Sequence, residues 1–298
     1  MRHIKLWLRR FLYLLIIAEK LMLLFDGFLI WYYTKKMEKL FIVNPFGADV
    51  FYEEVVSSTM DVARDLADKN KEHGTVIVSD FQESGRGRNN RLWQAQKGKN
   101  LCFTVLLRYS DYIEIPKALT LKSGLAVVFA LEDFIKDFRV SLKEKIQIKW
   151  PNDVMIAGKK AVGILTESDG TCVFIGIGVN LLQTEFPESL QNKATSISLA
   201  CKHNFMEDLR FVLLEKILSY LFQEIEKTND LWRDFISERL YMKDKPVCFI
   251  SGGADMSSAA PIEGILQGIG SEGELLLLPK GESEVKSFFT GELDVYER

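Results

Sequence analysis

An α+β fold with a small β-rich unit on its C-terminal side is predicted from three observations. Up to about residue 240, apolar β-like runs are interleaved with long helical stretches, an order that agrees with helices layered on a sheet. From Lys245 onward the texture changes to short strands separated by Gly/Ser/Asp clusters, and strands at such spacing suggest a small barrel. A chain of 298 residues with 47% hydrophobic content can bury a large core and divide into two or three units. The expected boundaries are 1–36, an apolar leader or a start upstream of the working one; 37–241, the main domain; and 242–298, the barrel.

Taken in order, Phe11 to Tyr33 is rich in Leu, Ile, Phe and Trp and about long enough to cross a bilayer. Glu19, Lys20 and Asp26 interrupt it, and each central charge costs about 3 kcal/mol on insertion. No small-residue signal-peptidase site follows. Met37 is therefore expected to be a cytosolic start, with a membrane-surface amphipathic helix as the alternative and membrane contact only if residues 1–36 are genuine. Ser58 can cap a helix over about 59–71, with Asp61 at the capping-box position. Strands follow at about 75–80 and 100–107, a helix at about 117–136, and strands at about 146–150, 160–167 and 171–179. Helices near 206–227 and 229–239 complete the main domain. The last strands are expected at about 246–250, 262–268, 274–279 and 285–290, with Ser251-Gly-Gly-Ala-Asp255 among the separating clusters. Gly268-Ile-Gly-Ser-Glu-Gly273 matches a dinucleotide fingerprint but opens no helix and has no βαβ unit around it, so it is read as a turn.

Three arginines, two glycines and a tryptophan crowd the segment Gln82-Glu-Ser-Gly-Arg-Gly-Arg-Asn-Asn-Arg-Leu-Trp93. Gly85 and Gly87 permit backbone conformations closed to other residues, so Arg86, Arg88 and Arg91 can fold around a phosphate or carboxylate. An isolated Arg-Gly-Arg is more often a solvated turn. Two further motifs weigh against that here. In Lys149-Trp-Pro-Asn-Asp153, Pro151 and Asn152-Asp153 stop a strand and turn the chain, and Ala157-Gly158 signals a hairpin before Lys160. Ile175-Gly-Ile-Gly-Val-Asn180 is a strand whose glycines leave no side chain to block a ligand and whose asparagine ends it with an amide. Alone, each is more often structural. Together they bring cations, a carboxylate and bare backbone to strand ends.

Read in order, Ser57-Ser-Thr59, Gln82 with Gly85-Arg-Gly-Arg88 and Trp93, Lys149-Trp-Pro-Asn-Asp153, Lys160 with Gly163-Ile-Leu165, and Gly176-Ile-Gly-Val-Asn180 resemble the catalytic domain of biotin protein ligases. The resemblance is strong over about residues 50–200. It implies a mixed sheet with helices on one face, a class II synthetase-like catalytic domain, and an SH3-like barrel at the C-terminal end. It implies further that biotin and ATP give biotinyl-5′-AMP and pyrophosphate, and that the biotinyl group passes to one lysine of a biotin carboxyl carrier protein. Ser57, Ser58, Thr59, Gln82, Arg86 and the Gly163-Ile164-Leu165 backbone would hold biotin. Arg88, Arg91, Trp93, Lys149, Asn152, Lys160 and Asn180 would hold ATP or the adenylate, with Lys160, Arg88 and Asp153 catalytic and Asp153 a candidate Mg²⁺ ligand. An acyl adenylate is destroyed by water, so the arginine loop is expected to act as a lid, mobile before substrate binds and ordered over the intermediate. One departure is visible: Met60 stands where the family often has Asn. Members often dimerise through a sheet edge, which leaves a homodimer open.

Charge and cysteine usage exclude other classes. Net charge is −3, but residues 1–36 carry seven Lys/Arg against two acids, leaving 31 basic and 39 acidic side chains in the rest. An acidic body argues against DNA and RNA binders, whose affinity rests on broad basic surfaces, and nothing resembles a helix-turn-helix. Cys102, Cys172, Cys201 and Cys248 lie far apart without metal-ligand spacing, as expected of small buried hydrophobes in a cytoplasmic protein. Two alternatives remain beside the biotin reading: a lipoate-protein ligase-like acyl transferase, and a non-enzymatic RNA-binding module using the same arginines.

Overall fold

A computed structural model describes residues 24–25, 28–29, 37–226, 231–252 and 260–294. The chain splits into two compact units, Met1–Met37 and Glu38–Arg298. Of the first, an antiparallel pairing of Leu24–Phe25 with Phe28–Leu29 is described; the expected leader helix otherwise lies outside the described residues. Among the described residues no helix is long and apolar enough to cross a membrane.

The second unit is built on an eight-stranded sheet. Its strands are β1 (Glu38–Leu40), β2 (Val50–Val56), β3 (Thr75–Gln82), β4 (Leu101–Arg108), β5 (Ile146–Lys149), β6 (Asp153–Ile156), β7 (Lys159–Asp169) and β8 (Cys172–Val179), in the spatial order β1-β2-β3-β4-β8-β7-β6-β5. β2 and β3 run parallel and the other pairs antiparallel, so the sheet is mixed. β2 carries no clean alternation, its ends Val50 and Val56 being buried and Glu54 exposed, which hid it in the sequence. β6 was hidden by its length. The β6–β7 hairpin has the two-residue loop expected of Ala157-Gly158, with φ values of 51° and 74° as an I′ turn requires.

The long helices α2 (Leu119–Asp137) and α4 (Leu209–Glu226) cover one face. Leu121, Leu125, Val128, Leu131 and Ile135 recur at helical spacing and join Phe103, Val105, Ile175 and Ile177 in the core. Helix α1 (Thr59–Asp68) departs from the one-face expectation. Neighbouring strand residues point to opposite faces, and α1 meets the face opposite Phe103: Thr104 Oγ1 donates to Thr59 Oγ1 at 2.8 Å. α1 ends at Asp68 rather than 71 because Asn70 is left-handed (φ 55°). Asn70 N–H donates to Ala67 O and Lys71 N–H to Leu66 O, the paired bonds of a Schellman motif. Ser58 caps the helix as expected, its Oγ accepting from Met60 N. Asp61 does not complete a capping box; it pairs with Arg86 at 2.7 Å. Short α3 (Ile197–Cys201) was not foreseen, and α5 is Trp232–Arg239; the expected start of α5 at 229 lies outside the described residues.

Beyond Lys245, β9 (Pro246–Ser251), β10 (Ile262–Ile269), β11 (Leu275–Pro279), β12 (Lys286–Phe288) and β13 (Gly291–Asp294) form an antiparallel five-stranded sheet, ordered β12-β11-β10-β9-β13. β13 was not expected as a separate strand. Part of the Ser251–Asp255 cluster lies outside the described residues. Gly268–Gly273 leads from β10 to β11, a turn as expected. This sheet is welded to the main domain by Trp150, 2% exposed, whose Nε1 donates to Gly273 O at 3.0 Å and whose ring lies 6.1 Å from that of Phe249.

Candidate active site

The cleft lies on the α1 face of the large sheet, with a volume of about 610 Å³, ample for a drug-sized ligand. Its floor is β7 and β8. Phe103, Ile164 and Ile177 face the core on the other side, so the alternation of the strands turns Gly163, Leu165, Gly176 and Gly178 toward the cleft. The glycines are required by what packs on them. A Cβ on Gly178 would stand 2.4 Å from Trp93 Cε2, and one on Gly163 would stand 2.9 Å from Trp93 Cζ3. The indole thus lies directly on bare backbone. A Cβ on Gly176 would meet Met60 Sδ at 2.8 Å, so Met60 is part of the floor.

One end of the cleft is polar. Gln82 Oε1 accepts from Thr59 N at 2.8 Å and from Thr59 Oγ1 at 3.0 Å, fixing the amide at the N-terminus of α1. Ser58 and Thr59 are buried and line the cleft. Ser57 does not; it is exposed, and its carbonyl accepts from Ser84 N. Cys102 is buried against Trp93 and Gln82, and burial pushes its thiol up to about 11.

The loop after β3 carries the three arginines. Its left-handed residue is Asn89 (φ 54°, ψ 42°) rather than either glycine: Gly87 is extended, and Gly85 is demanded by closeness, a Cβ there falling 2.9 Å from Trp93 O. Each arginine has a different partner. Arg86 pairs with Asp61 at 2.7 Å and Glu167 at 3.8 Å, and Glu167 also holds Arg64. Half-buried Arg88 donates to Gly291 O at 3.2 Å and, more weakly, to Asn152 Oδ1 at 3.5 Å. Burial lowers its pKa, while Glu292 and Asp153 oppose that shift. Arg91 pairs with Glu292 at 2.6 Å.

The β5–β6 turn, whose Trp150–Pro151 peptide is cis, brings Lys149, Asn152 and Asp153 to the rim. Asn152 Nδ2 donates to Ile164 O, and Ile164 N–H donates to Asn152 O, both at 2.9 Å, so Asn152 pins the turn to β7. Asp153 faces Lys160 at 2.6 Å, and the Lys160 ammonium lies 5.7 Å from the Trp93 ring centroid. At the far end, Asn180 Nδ2 donates to Thr195 O at 3.1 Å, while buried Asn180 Oδ1 has no hydrogen-bond partner among the described residues. Among the described residues no group of three His, Cys, Asp or Glu side chains is placed to hold a metal. Asp153 therefore offers one carboxylate, already paired, a donor set that suits a cation arriving with phosphate oxygens.

Ser57 apart, every residue given a binding or catalytic role from the sequence lines this cleft. The sequence did not point to Phe186, Leu190 and Asn192 on the wall beyond Asn180, to Tyr241, or to Glu292 and Leu293 from β13. These residues stand in no motif, and Glu292 reaches Asn89 across 203 positions of chain.

Residues 52–180 match the model of the biotin/lipoate A/B protein ligase family. Those residues are similar to the domain which that model describes. Within the matched segment lie the arginine loop, the Lys149–Asp153 turn and the Gly176–Asn180 strand. The chain is 39% identical over 161 residues to the bifunctional ligase/repressor BirA of Bacillus spizizenii, a match covering 52% of this chain and 47% of that protein; it thus spans about half the length of that relative. It is 29% identical over 225 residues to the biotin–[acetyl-CoA-carboxylase] ligase of Mycobacterium tuberculosis, covering 72% of this chain and 77% of the relative. Among solved structures, the biotin protein ligase from Aquifex aeolicus in complex with biotin and ATP superposes with a TM-score of 0.66 at 28% identity, covering 82% of this chain and 97% of that one. The ligase-family fold therefore extends beyond the segment matched by the family model.

Proposed function

We propose that this chain is an ATP-dependent biotin protein ligase, forming biotinyl-5′-AMP and transferring biotin to one lysine of a biotin carboxyl carrier protein. One observation carries the reading: the arginine loop, the Lys160–Asp153 pair and the bare Gly163/Gly178 backbone open onto a single cleft in a ligase-family domain. Residues 37–241 would be the catalytic domain and 242–298 an SH3-like barrel, at work in the cytoplasm.

The chemistry requires two anions to meet, the biotin carboxylate and the α-phosphate of ATP, so preorganised cations must neutralise charge that grows in the transition state. Lys160, held by Asp153, is the point charge suited to the reacting oxygens. Arg88 and Arg91 suit the phosphates through their planar forks. Ser58, Thr59 and Gln82 form the polar end for biotin's ureido group, with Gly163, Ile164 and Leu165 supplying backbone and Arg86 closing the loop. Ser57 drops out of the contact set. Trp93, lying on Gly178, would have to share or yield that surface to a ring system. Asn180 Oδ1, a buried acceptor that is costly to leave unmet, calls for an N–H donor, which the exocyclic amine of adenine supplies. Mg²⁺ would enter as part of the MgATP substrate, with Asp153 as its protein-side carboxylate. In the second step the carrier lysine, with an ordinary pKa of about 10.4, must attack as the neutral amine.

The test is exchange of labelled pyrophosphate into ATP by the purified protein. Biotin should stimulate it, and a carrier domain should then be labelled at one lysine. Stimulation by lipoate with indifference to biotin would overturn the reading in favour of the lipoate alternative.

A further inference from the structure

Glu292 belongs to none of the motifs, yet the arginine loop binds both oxygens of its carboxylate. Oε1 accepts from Asn89 Nδ2 at 2.7 Å and Oε2 from Arg91 Nη2 at 2.6 Å. Beside it, Gly291 O accepts from Arg88 Nη1 at 3.2 Å. The three contacts grip the tip of the loop, residues 88–91, and all come from β13, which β9 holds through the register Cys248↔Asp294 to Ser251↔Gly291. Asn89 is the left-handed residue of the tip, a conformation that asparagine tolerates better than most side chains. The rest of the loop is braced within itself, Gly87 N–H donating to Arg91 O at 2.7 Å and Trp93 N–H to Gly85 O at 2.8 Å, and its base is held to the large sheet and α1 by Arg86, which pairs with Glu167 and Asp61. A hairpin braced within itself and gripped at its tip by a different sheet can move as one piece about its base.

We propose that Glu292 is a positioning residue: a clasp, supplied by the C-terminal sheet, that holds residues 88–91 across the cleft and so sets how long an acyl adenylate is retained. What is retained rests on the ligase reading; the clasp itself does not. Arg91 is 67% exposed in its side chain against 21% for Glu292, so solvent screens the ion pair. The expected effect is therefore a loosening of about five- to tenfold rather than a collapse of the loop.

Two variants of the full-length chain test this from opposite sides. Glu292→Gln removes the charge facing Arg91, and Asn89→Asp replaces the amide donor to Glu292 by a carboxylate while keeping a residue that tolerates the left-handed backbone. Amide hydrogen exchange over residues 86–93 is measured without added substrates. The dissociation rate of biotinyl-adenylate preformed on the protein, and KM for ATP against kcat for pyrophosphate exchange, are measured with them. Both variants should exchange faster at 86–93 by about five- to tenfold while strands β9 to β13 keep their protection. Both should release the adenylate faster by a similar factor, with KM for ATP rising more than kcat falls. Unchanged exchange at 86–93 in both variants overturns the clasp. Faster loop exchange with unchanged adenylate release overturns the retention role. Should Glu292→Gln loosen the whole C-terminal sheet, Asn89→Asp decides alone, because it leaves β13 intact and keeps a residue that tolerates the left-handed backbone. A wild-type protein that makes no adenylate from biotin and ATP refutes the ligase reading, while the exchange comparison still judges the clasp.

Discussion

Lys160→Met separates the structural from the chemical share of the Lys160–Asp153 pair. Methionine keeps an apolar stem over Gly163, where Lys160 Cε stands 3.0 Å from the position of an added Cβ, but leaves Asp153 without its cation. Side-chain exposures of 33% and 20% place the pair between surface bridges worth about 0.2–1 kcal/mol and buried pairs whose breakage costs about 3–5 kcal/mol. After discounting for solvent, a loss of about 1–2 kcal/mol is expected, a lowering of the unfolding midpoint by roughly 2–8 °C at 2–4 °C per kcal/mol. Removing a preorganised charge from beside the reacting oxygens should cost far more in rate, about 100-fold or greater. Adding Asp153→Asn removes the stranded carboxylate and should restore most of the thermal stability with none of the rate. Thermal unfolding and biotin-dependent pyrophosphate exchange, run on wild type, both single variants and the double variant, read the two shares independently. Recovery of exchange together with stability would refute the chemical role of Lys160, and an undiminished rate in Lys160→Met alone would do the same.

Four further outcomes are expected. Arg88→Gly, which loses the bonds to Gly291 and Asn152, should let the intermediate escape, seen as biotin- and ATP-dependent labelling of lysines on an added bystander protein; labelling no greater than with wild type contradicts this. Gly178→Ala places a methyl 2.4 Å from Trp93 Cε2 and, at an overpacking cost of about 1–3 kcal/mol, should displace the indole, with a shifted tryptophan emission and biotin binding weaker by about tenfold or more in calorimetry. Trp150→Phe strands the Gly273 carbonyl and should cost about 1–3 kcal/mol in urea unfolding. Burial raises the Cys102 thiol from 9.0 to about 11, so the native state keeps a proton that the unfolded chain gives up. That contribution is complete below pH 9 and fades as pH rises toward 11; Cys102→Ser should flatten this alkaline decline, and identical pH profiles for the two proteins would refute it.

What the sequence made legible was what is local in the chain. Ala157-Gly158 gave its hairpin, Ser58 its helix start, and the glycines of β8 a strand that something must approach closely, because each signal is completed within a few residues. The same short range explains the misreadings. Asp61 sits at the capping-box position but is drawn to Arg86, a partner across 25 residues that no helix pattern reveals. Gly85 and Gly87 mark the loop's unusual backbone in the sequence, but it is Asn89 that adopts it. Trp150 lies at the centre of a site motif, yet its side chain serves the seam with the C-terminal sheet. Phe186, Leu190 and Asn192 follow β8 without any periodic or chemical mark, and Glu292 is an ordinary acid in a short strand. Their roles exist only once the sheets have been brought together.

The attachment of Glu292 to Asn89 also sets an order in time. A ribosome adds about 5–20 residues each second, so the 203 positions between the two take roughly 10–40 s to synthesise. Residues 153–178 are made within that interval, so by its end the arginine loop, the Lys160 pair and the glycine floor can have formed before β13 exists. Until then Arg91 has no carboxylate from β13, whereas Arg86 can already pair with Asp61 and Glu167 and Lys160 with Asp153. The pairing of Arg91 thus waits on a strand of the other sheet, long after the loop that carries it has been made.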